Sequence, residues 1–131
     1  MTHPSIRRER RANRRTLRAE LRRRSASTRL TASCRRRPRS LATVAIAAGV
    51  DRTTAAGCAN GLRSVAKRLG LTPAATARTR RTVTGGRHHR THGVSRYTLG
   101  QVRLLIRAYK PRKPEYKAAV ARIAALAGGA L

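Results

Sequence analysis

Residues 43–61, TVAIAAGVDRTTAAGCANG, constrain the fold more than any other stretch of this chain. Val44, Ala45 and Ala48 set small apolar residues on one face of a short helix. Gly49 follows, where a tight turn needs a residue that takes positive φ without steric cost. Val50 supplies an apolar plug, and Asp51 stands where the N-cap of a second helix belongs. That helix starts at Arg52, with Thr53 and Thr54 in its first turn, and Asn60-Gly61 marks its end. Two short helices around a glycine turn form a helix-turn-helix, the geometry that aims the start of the second helix at a DNA major groove.

The charge balance points the same way. Thirty-two Lys and Arg face four acids, Glu9, Glu20, Asp51 and Glu115, for a formal net charge of +28 over 131 residues. So large an excess cannot be neutralised internally, and a polyanion bound in a salt-dependent manner is the natural counter-charge. With no Phe and no Trp, the core is restricted to Ala, Leu, Val and Ile, enough for one small domain with tails. The two cysteines, Cys34 and Cys58, make no disulfide framework. No apolar run reaches membrane-spanning length. The basic N-terminus is never followed by an apolar region, which excludes a secretory signal. Its arginines are too dense for the clean amphipathic helix of a transit peptide. The expected location is the cytoplasm, on the nucleoid.

Four regions are expected. Residues 1–40 form an arginine-rich flexible arm, in which Arg7, Arg8, Arg10, Arg11, Arg14 and Arg15 are candidate phosphate- or RNA-binding residues. Like-charge repulsion at i,i+4 weakens a helix there in water. Residues 25–40 read as a polar linker, and Pro38 forbids a continuous helix through to Leu41. Residues 41–81 form the helix-turn-helix domain. There LRSVAKRLGL makes a third helix stopped by Gly70, and Thr72-Pro73 opens a further helical turn. Residues 82–95 are a basic Gly-rich loop or wing. Residues 96–131 form a helical hairpin, with Leu99, Val102, Leu105, Ile106 and Tyr109 on one helix and Tyr116, Val120, Ile123 and Ala127 on the other. These apolar faces either pair two copies into a homodimer or pack on residues 41–71 of the same monomer.

Val44 to Gly61 resembles the headpiece of the lac-repressor family of bacterial transcription regulators, with its pattern V-A-x-x-A-G-V-S-x-x-T-V-S-x-x-L-N-G. Val44, Ala45, Ala48, Gly49, Val50, Thr54, Asn60 and Gly61 match, and Asp51 replaces Ser as an N-cap. Val65-Ala66, Leu69-Gly70, Pro73 and Ala77-Arg78 are similar to the family's later A-A-x-x-L-G-Y-x-P-N-x-x-A-R. The resemblance implies DNA binding by Arg52, Thr53, Thr54 and Asn60 on the recognition helix, and by Arg78, Arg80 and Arg81 in the region of the family's hinge helix. This chain departs from the pattern in three ways. About one helix is missing before Val65, Gly57 lowers helix propensity by roughly 1 kcal/mol, and residues 82–131 are too few for the family's ligand-binding domain. Inducer sensing is therefore not implied.

Three alternatives stand beside this one. A winged helix, of the type found in phage and plasmid regulators and replication proteins, places a basic wing before Tyr97 and Leu99. It requires one helix from Asp51 to Leu69 that contains Gly57 and Gly61, which argues against it. A second helix-turn-helix register starts at VAKRLGL. The stretch Arg7-Arg8-Glu9-Arg10-Arg11-Ala12 resembles the RNA-hairpin motif of lambdoid antiterminators, which implies an RNA-binding or ribosome-associated basic protein. His88 and His92 have zinc-like spacing, but the cysteines are remote and unpaired, so no metal site is expected. No paired carboxylates, Ser/His/Asp order or phosphate-cradling glycine motif is found, so neither catalysis nor a cofactor is expected. The sequence describes a mainly α protein: a small helix-turn-helix domain with a basic N-terminal arm and a C-terminal helical hairpin. Duplex DNA is its expected partner, transcription regulation its expected role, and a membrane is excluded as a partner.

Overall fold

The computed structural model describes residues 3–82 and 89–128. Among these, five helices and one two-stranded antiparallel sheet form in the order α1 (Pro4–Arg36), α2 (Leu41–Ala47), α3 (Arg52–Leu69), β1 (Ala75–Thr82), β2 (His89–Arg96), α4 (Leu99–Ala108) and α5 (Pro114–Leu126). The chain divides into two compact units, Met1–Leu30 and Thr31–Leu131.

The expected flexible arm is helical from Pro4 to Arg36, and so is most of the expected linker over residues 25–40. No Gly or Pro interrupts residues 5–37, and Ser and Thr do not force an end. The Thr28 hydroxyl donates to the Arg24 carbonyl at 2.9 Å and leaves the helix running. The helix stops short of Pro38, whose ring disfavours helical geometry in the residue before it.

α2 and α3 form as the residues suggest. Ser40 caps α2 by accepting from the Thr43 amide at 3.3 Å. Gly49 then takes φ of 93°. The amides of Gly49 and Val50 donate back to the carbonyls of Ile46 and Ala45 at 3.0 and 3.1 Å, closing the end of α2. Asp51 caps α3 through the Thr54 amide at 3.2 Å.

Beyond Ala59 the structure corrects the sequence reading. α3 does not end at Asn60-Gly61, and no separate third helix begins; one 18-residue helix runs to Leu69. Interior glycines cost a helix about 1 kcal/mol each, but here tyrosine rings occupy the space that a side chain at either position would take. A Cβ on Gly57 would lie 2.9 Å from Cζ of the Tyr116 ring, and one on Gly61 would lie 2.6 Å from the Tyr109 hydroxyl. The two glycines, one turn apart, form a notch that receives two aromatic rings. α3 ends at Gly70, with φ of 66° and the Leu71 amide on the Ala66 carbonyl at 3.0 Å.

The expected helical turn after Thr72-Pro73 is also corrected, since Ala75–Thr82 is strand β1. It pairs with β2 from Ala75↔Arg96 to Thr82↔His89. Thr76, Thr79 and Thr82 favour extended backbone, and an isolated helical turn has nothing to repay its nucleation. Half-buried Ala77 faces half-buried Val94 across the register, while Arg78 is exposed. The tip of the expected wing, residues 83–88, lies outside the described residues. Arg39 and Tyr97 form a further antiparallel bridge, exchanging amide-to-carbonyl bonds of 3.0 and 2.9 Å. The segment before α2 is thereby tied to the end of β2.

The C-terminal hairpin is formed as expected, up to Gly128. Thr98 and Gln101 make a reciprocal capping box on α4, and Pro114 opens α5. Val102, Leu105, Ile106 and Ile123 are buried. α4 and α5 both pack on α3, and α5 also packs on α2. Of the faces offered for a homodimer, Val102, Ile106 and Ile123 are buried within one chain, and Leu99, Tyr109, Tyr116 and Val120 are half-buried. The rest of this core includes Leu41, Val44, Leu62 and Cys58, with Cys34 from the end of α1 and Tyr97 also buried. Among the described residues no helix is long and apolar enough to cross a membrane.

Candidate nucleic-acid interface

The apolar residues of α3 assign its free face by exclusion. Ala55, Cys58, Ala59, Leu62, Val65 and Ala66 are buried against the other helices, and Gly57 and Gly61 lie under the tyrosines. What remains at helical spacing is Arg52, Thr53, Ala56, Asn60, Arg63, Ser64 and Lys67, all exposed. Arg63 donates to the Asn60 side-chain carbonyl at 2.8 Å, and the Ser64 hydroxyl donates to the Asn60 backbone carbonyl at 3.1 Å. The face therefore carries three cations and several hydrogen-bonding groups, with its one carboxylate at the very start.

That carboxylate, Asp51, belongs to the helix. The Thr54 hydroxyl and the Thr54 amide hold it below the ordinary carboxylate range. Thr54 is half-buried and engaged in this cap, so of the four residues expected on the recognition helix, Arg52, Thr53 and Asn60 share the open face and Thr54 does not. Arg63 and Lys67 complete the face and were missed, because Gly61 was read as a stop. Their spacing of three and seven residues from Asn60 was the available signal.

Arg78, Arg80 and Arg81 lie on β1 rather than on a hinge helix, opposite Gly93, Thr91 and Arg90 in the register. The hairpin follows α3 after a connection of five residues, Gly70 to Ala74. The arm candidates Arg7, Arg8, Arg10, Arg11, Arg14 and Arg15 are all exposed along α1, within the first compact unit.

Other arginines are engaged in holding the fold. Arg122 donates to the Gly49 carbonyl at 2.7 Å, and Arg68 to the Ala108 carbonyl at 3.3 Å. Arg103 donates through Nε to the Ala127 carbonyl at 2.7 Å. Each guanidinium meets carbonyls at a helix C-terminus, where the helix dipole is negative. In a chain with four acids, backbone carbonyls take the place of carboxylates.

Burial pushes both the Cys34 and Cys58 thiols above their ordinary value, which keeps them protonated and unreactive. Burial also raises the Tyr109 phenol. His88 lies outside the described residues. Among those described, no three His, Cys, Asp or Glu gather as a metal site would require. No family model, curated protein or solved structure matches this chain.

Proposed function

We propose that this chain binds duplex DNA in the manner of a winged helix, with α3 entering the major groove and the β1–β2 hairpin resting on the flanking backbone. One observation carries this reading. The Arg39↔Tyr97 bridge closes the order helix, short strand, helix, helix, hairpin, and that order leaves the Arg52–Lys67 face of α3 uncovered. The α2–turn–α3 stretch is shared with the lac-repressor-family pattern, while β1 runs where that pattern implies a helix. The continuous α3, the feature that counted against a winged helix in the sequence, is what the tyrosine-filled glycine notch makes possible.

Within this reading Arg52 and Thr53 lie nearest the base edges, and Asn60 supplies a donor–acceptor pair suited to adenine. Arg63, Lys67 and Arg78 position the protein on phosphates. Sequence selectivity makes the protein a candidate regulator of transcription or of replication.

The test is a binding comparison of duplex DNA, hairpin RNA and single strands across salt, followed by selection of a preferred duplex. Arg52→Ala is expected to cost about 1–3 kcal/mol and relax preference at one base pair. Lys67→Gln is expected to weaken all duplexes alike and lower the salt slope by about one. Hairpin RNA bound more tightly than every duplex at all salt concentrations overturns the reading.

A further inference from the structure

The first compact unit carries a surface that the α3 face does not use. At 3.6 residues per turn, Arg7, Arg11, Arg14, Arg18, Arg22 and Arg29 fall within an arc of about 80° on α1. Both carboxylates of the unit, Glu9 and Glu20, fall on the opposite side of the helix. All six arginines are exposed. Arg11, Arg14 and Arg18, together with Arg15, line a groove of about 170 Å³ with no acid in it. At 1.5 Å per residue the stripe extends about 33 Å, close to one turn of B-DNA, about 34–36 Å.

Resting on the proposed function, we infer that this stripe is a second duplex-binding surface, and that the chain holds two DNA segments at once, one on α3 and one on α1. Guanidinium groups pair with phosphodiesters through two parallel hydrogen bonds, and a row one helical turn long meets each backbone where the strands cross beneath it. The placement of the acids selects the geometry. A helix sunk into the deep, narrow major groove of A-form RNA brings its back, with Glu9 and Glu20, against phosphate. A helix lying along B-DNA turns both carboxylates to solvent. The stripe covers a helical turn by itself and belongs to a different compact unit from α3.

The experiment uses the full chain, a sparsely immobilised 20-base-pair duplex and a second, fluorescent duplex, with protein kept below the immobilised DNA. Wild type is expected to capture the second duplex. Combined Arg11→Gln, Arg14→Gln, Arg18→Gln and Arg22→Gln substitutions keep good helix formers on α1. That variant is expected to bind one duplex and to lose capture at least tenfold. Arg52→Ala with Arg63→Gln and Lys67→Gln is expected to do the same from the other side, and the two sets combined to bind nothing. Circular dichroism of each variant confirms that the helices persist. Wild type that binds one duplex and captures no second overturns the inference and leaves DNA binding intact. Capture that survives in the stripe variant also overturns it, since bridging then runs through self-association. A stripe variant that binds no duplex at all removes α3 as a DNA surface, and the proposed function falls with it.

Discussion

Along α3, six residues from Ala55 to Ala66 are buried. Along α1, every residue from Pro4 to Arg29 except Ala19 is exposed. Both are basic helices, yet they are maintained by different physics. α3 holds two interior glycines that an isolated helix would resist, because tyrosine rings fill the space they leave and its apolar face is packed. α1 has no glycine at all within Pro4–Arg36. It is carried by Arg, Ala, Leu and Glu propensity against the mutual repulsion of its arginines. Packing stabilises α3 at the expense of local preference, and local preference sustains residues 4–29 of α1 without packing, while Cys34 near the end of that helix is buried.

The largest effect expected from this contrast comes from the core. Leu62 is 1 % exposed, and Leu62→Ala should cost about 2–5 kcal/mol, a large part of what so small a core supplies. Residue-resolved NMR during thermal unfolding should show residues 31–128 losing structure at lower temperature while residues 4–29 keep their helical shifts. Concerted loss of both regions would break the comparison.

Gly57→Ala tests the notch. Helix propensity alone favours Ala by about 1 kcal/mol, whereas a Cβ there collides with the Tyr116 ring. Overpacking of this kind costs about 1–3 kcal/mol, so the substitution should destabilise. In a Tyr116→Ala background the collision is gone, and the same change should stabilise by up to about 1 kcal/mol. The reversal of sign, measured by denaturant unfolding, separates packing from propensity. Two substitutions that simply add would refute the role given to the ring.

These two glycines also explain what could be read in the sequence and what could not. Local chemistry was legible: the Asp51 cap, the Gly49 and Gly70 turns, the break before Pro38 and the two C-terminal helices are each decided within a few residues. The continuity of α3 was not, because it depends on Tyr109 and Tyr116, some fifty residues away. β1 was misread for the same reason, since its strand state depends on β2 across the hairpin. Of the residues that the resemblance implied, Arg52, Thr53 and Asn60 lie on the exposed face of α3. Arg63 and Lys67 were lost with the continuity, and Thr54 looked free until the geometry of the cap was known.

On α1 the smaller electrostatic terms decide. Arg18 has Arg14 and Arg22 four residues away on either side and Arg15 three away, all like charges. Arg18→Glu turns these into attractive neighbours, each worth about 0.2–0.5 kcal/mol, and should raise the helical content of residues 4–29 in low salt. The gain should shrink at high salt, where screening removes both the repulsion and the attraction. No comparable salt response is expected in α3, which is held by buried apolar contacts. Unchanged α1 chemical shifts in both conditions would mean that repulsion does not limit this helix.

The smallest effect expected lies at the start of α3. The Thr54 hydroxyl and amide hold the Asp51 carboxylate below its ordinary value. A carboxyl depressed in the folded state binds its proton more weakly there than in the unfolded chain. It therefore contributes stability above its unfolded pKa, and that contribution is lost as pH falls through the folded one. Asp51 is fully exposed, so the contribution is screened and modest. Asp51→Asn keeps a good cap and removes the titration. Melting of residues 31–128, followed from pH 6 down to pH 2.5, should therefore fall more steeply in wild type than in Asp51→Asn, with the gap opening as pH falls through the usual carboxylate range and below it. Parallel curves would show that Thr54 does not hold the charged form, and would leave α3 dependent on packing at its first turn as well as along its length.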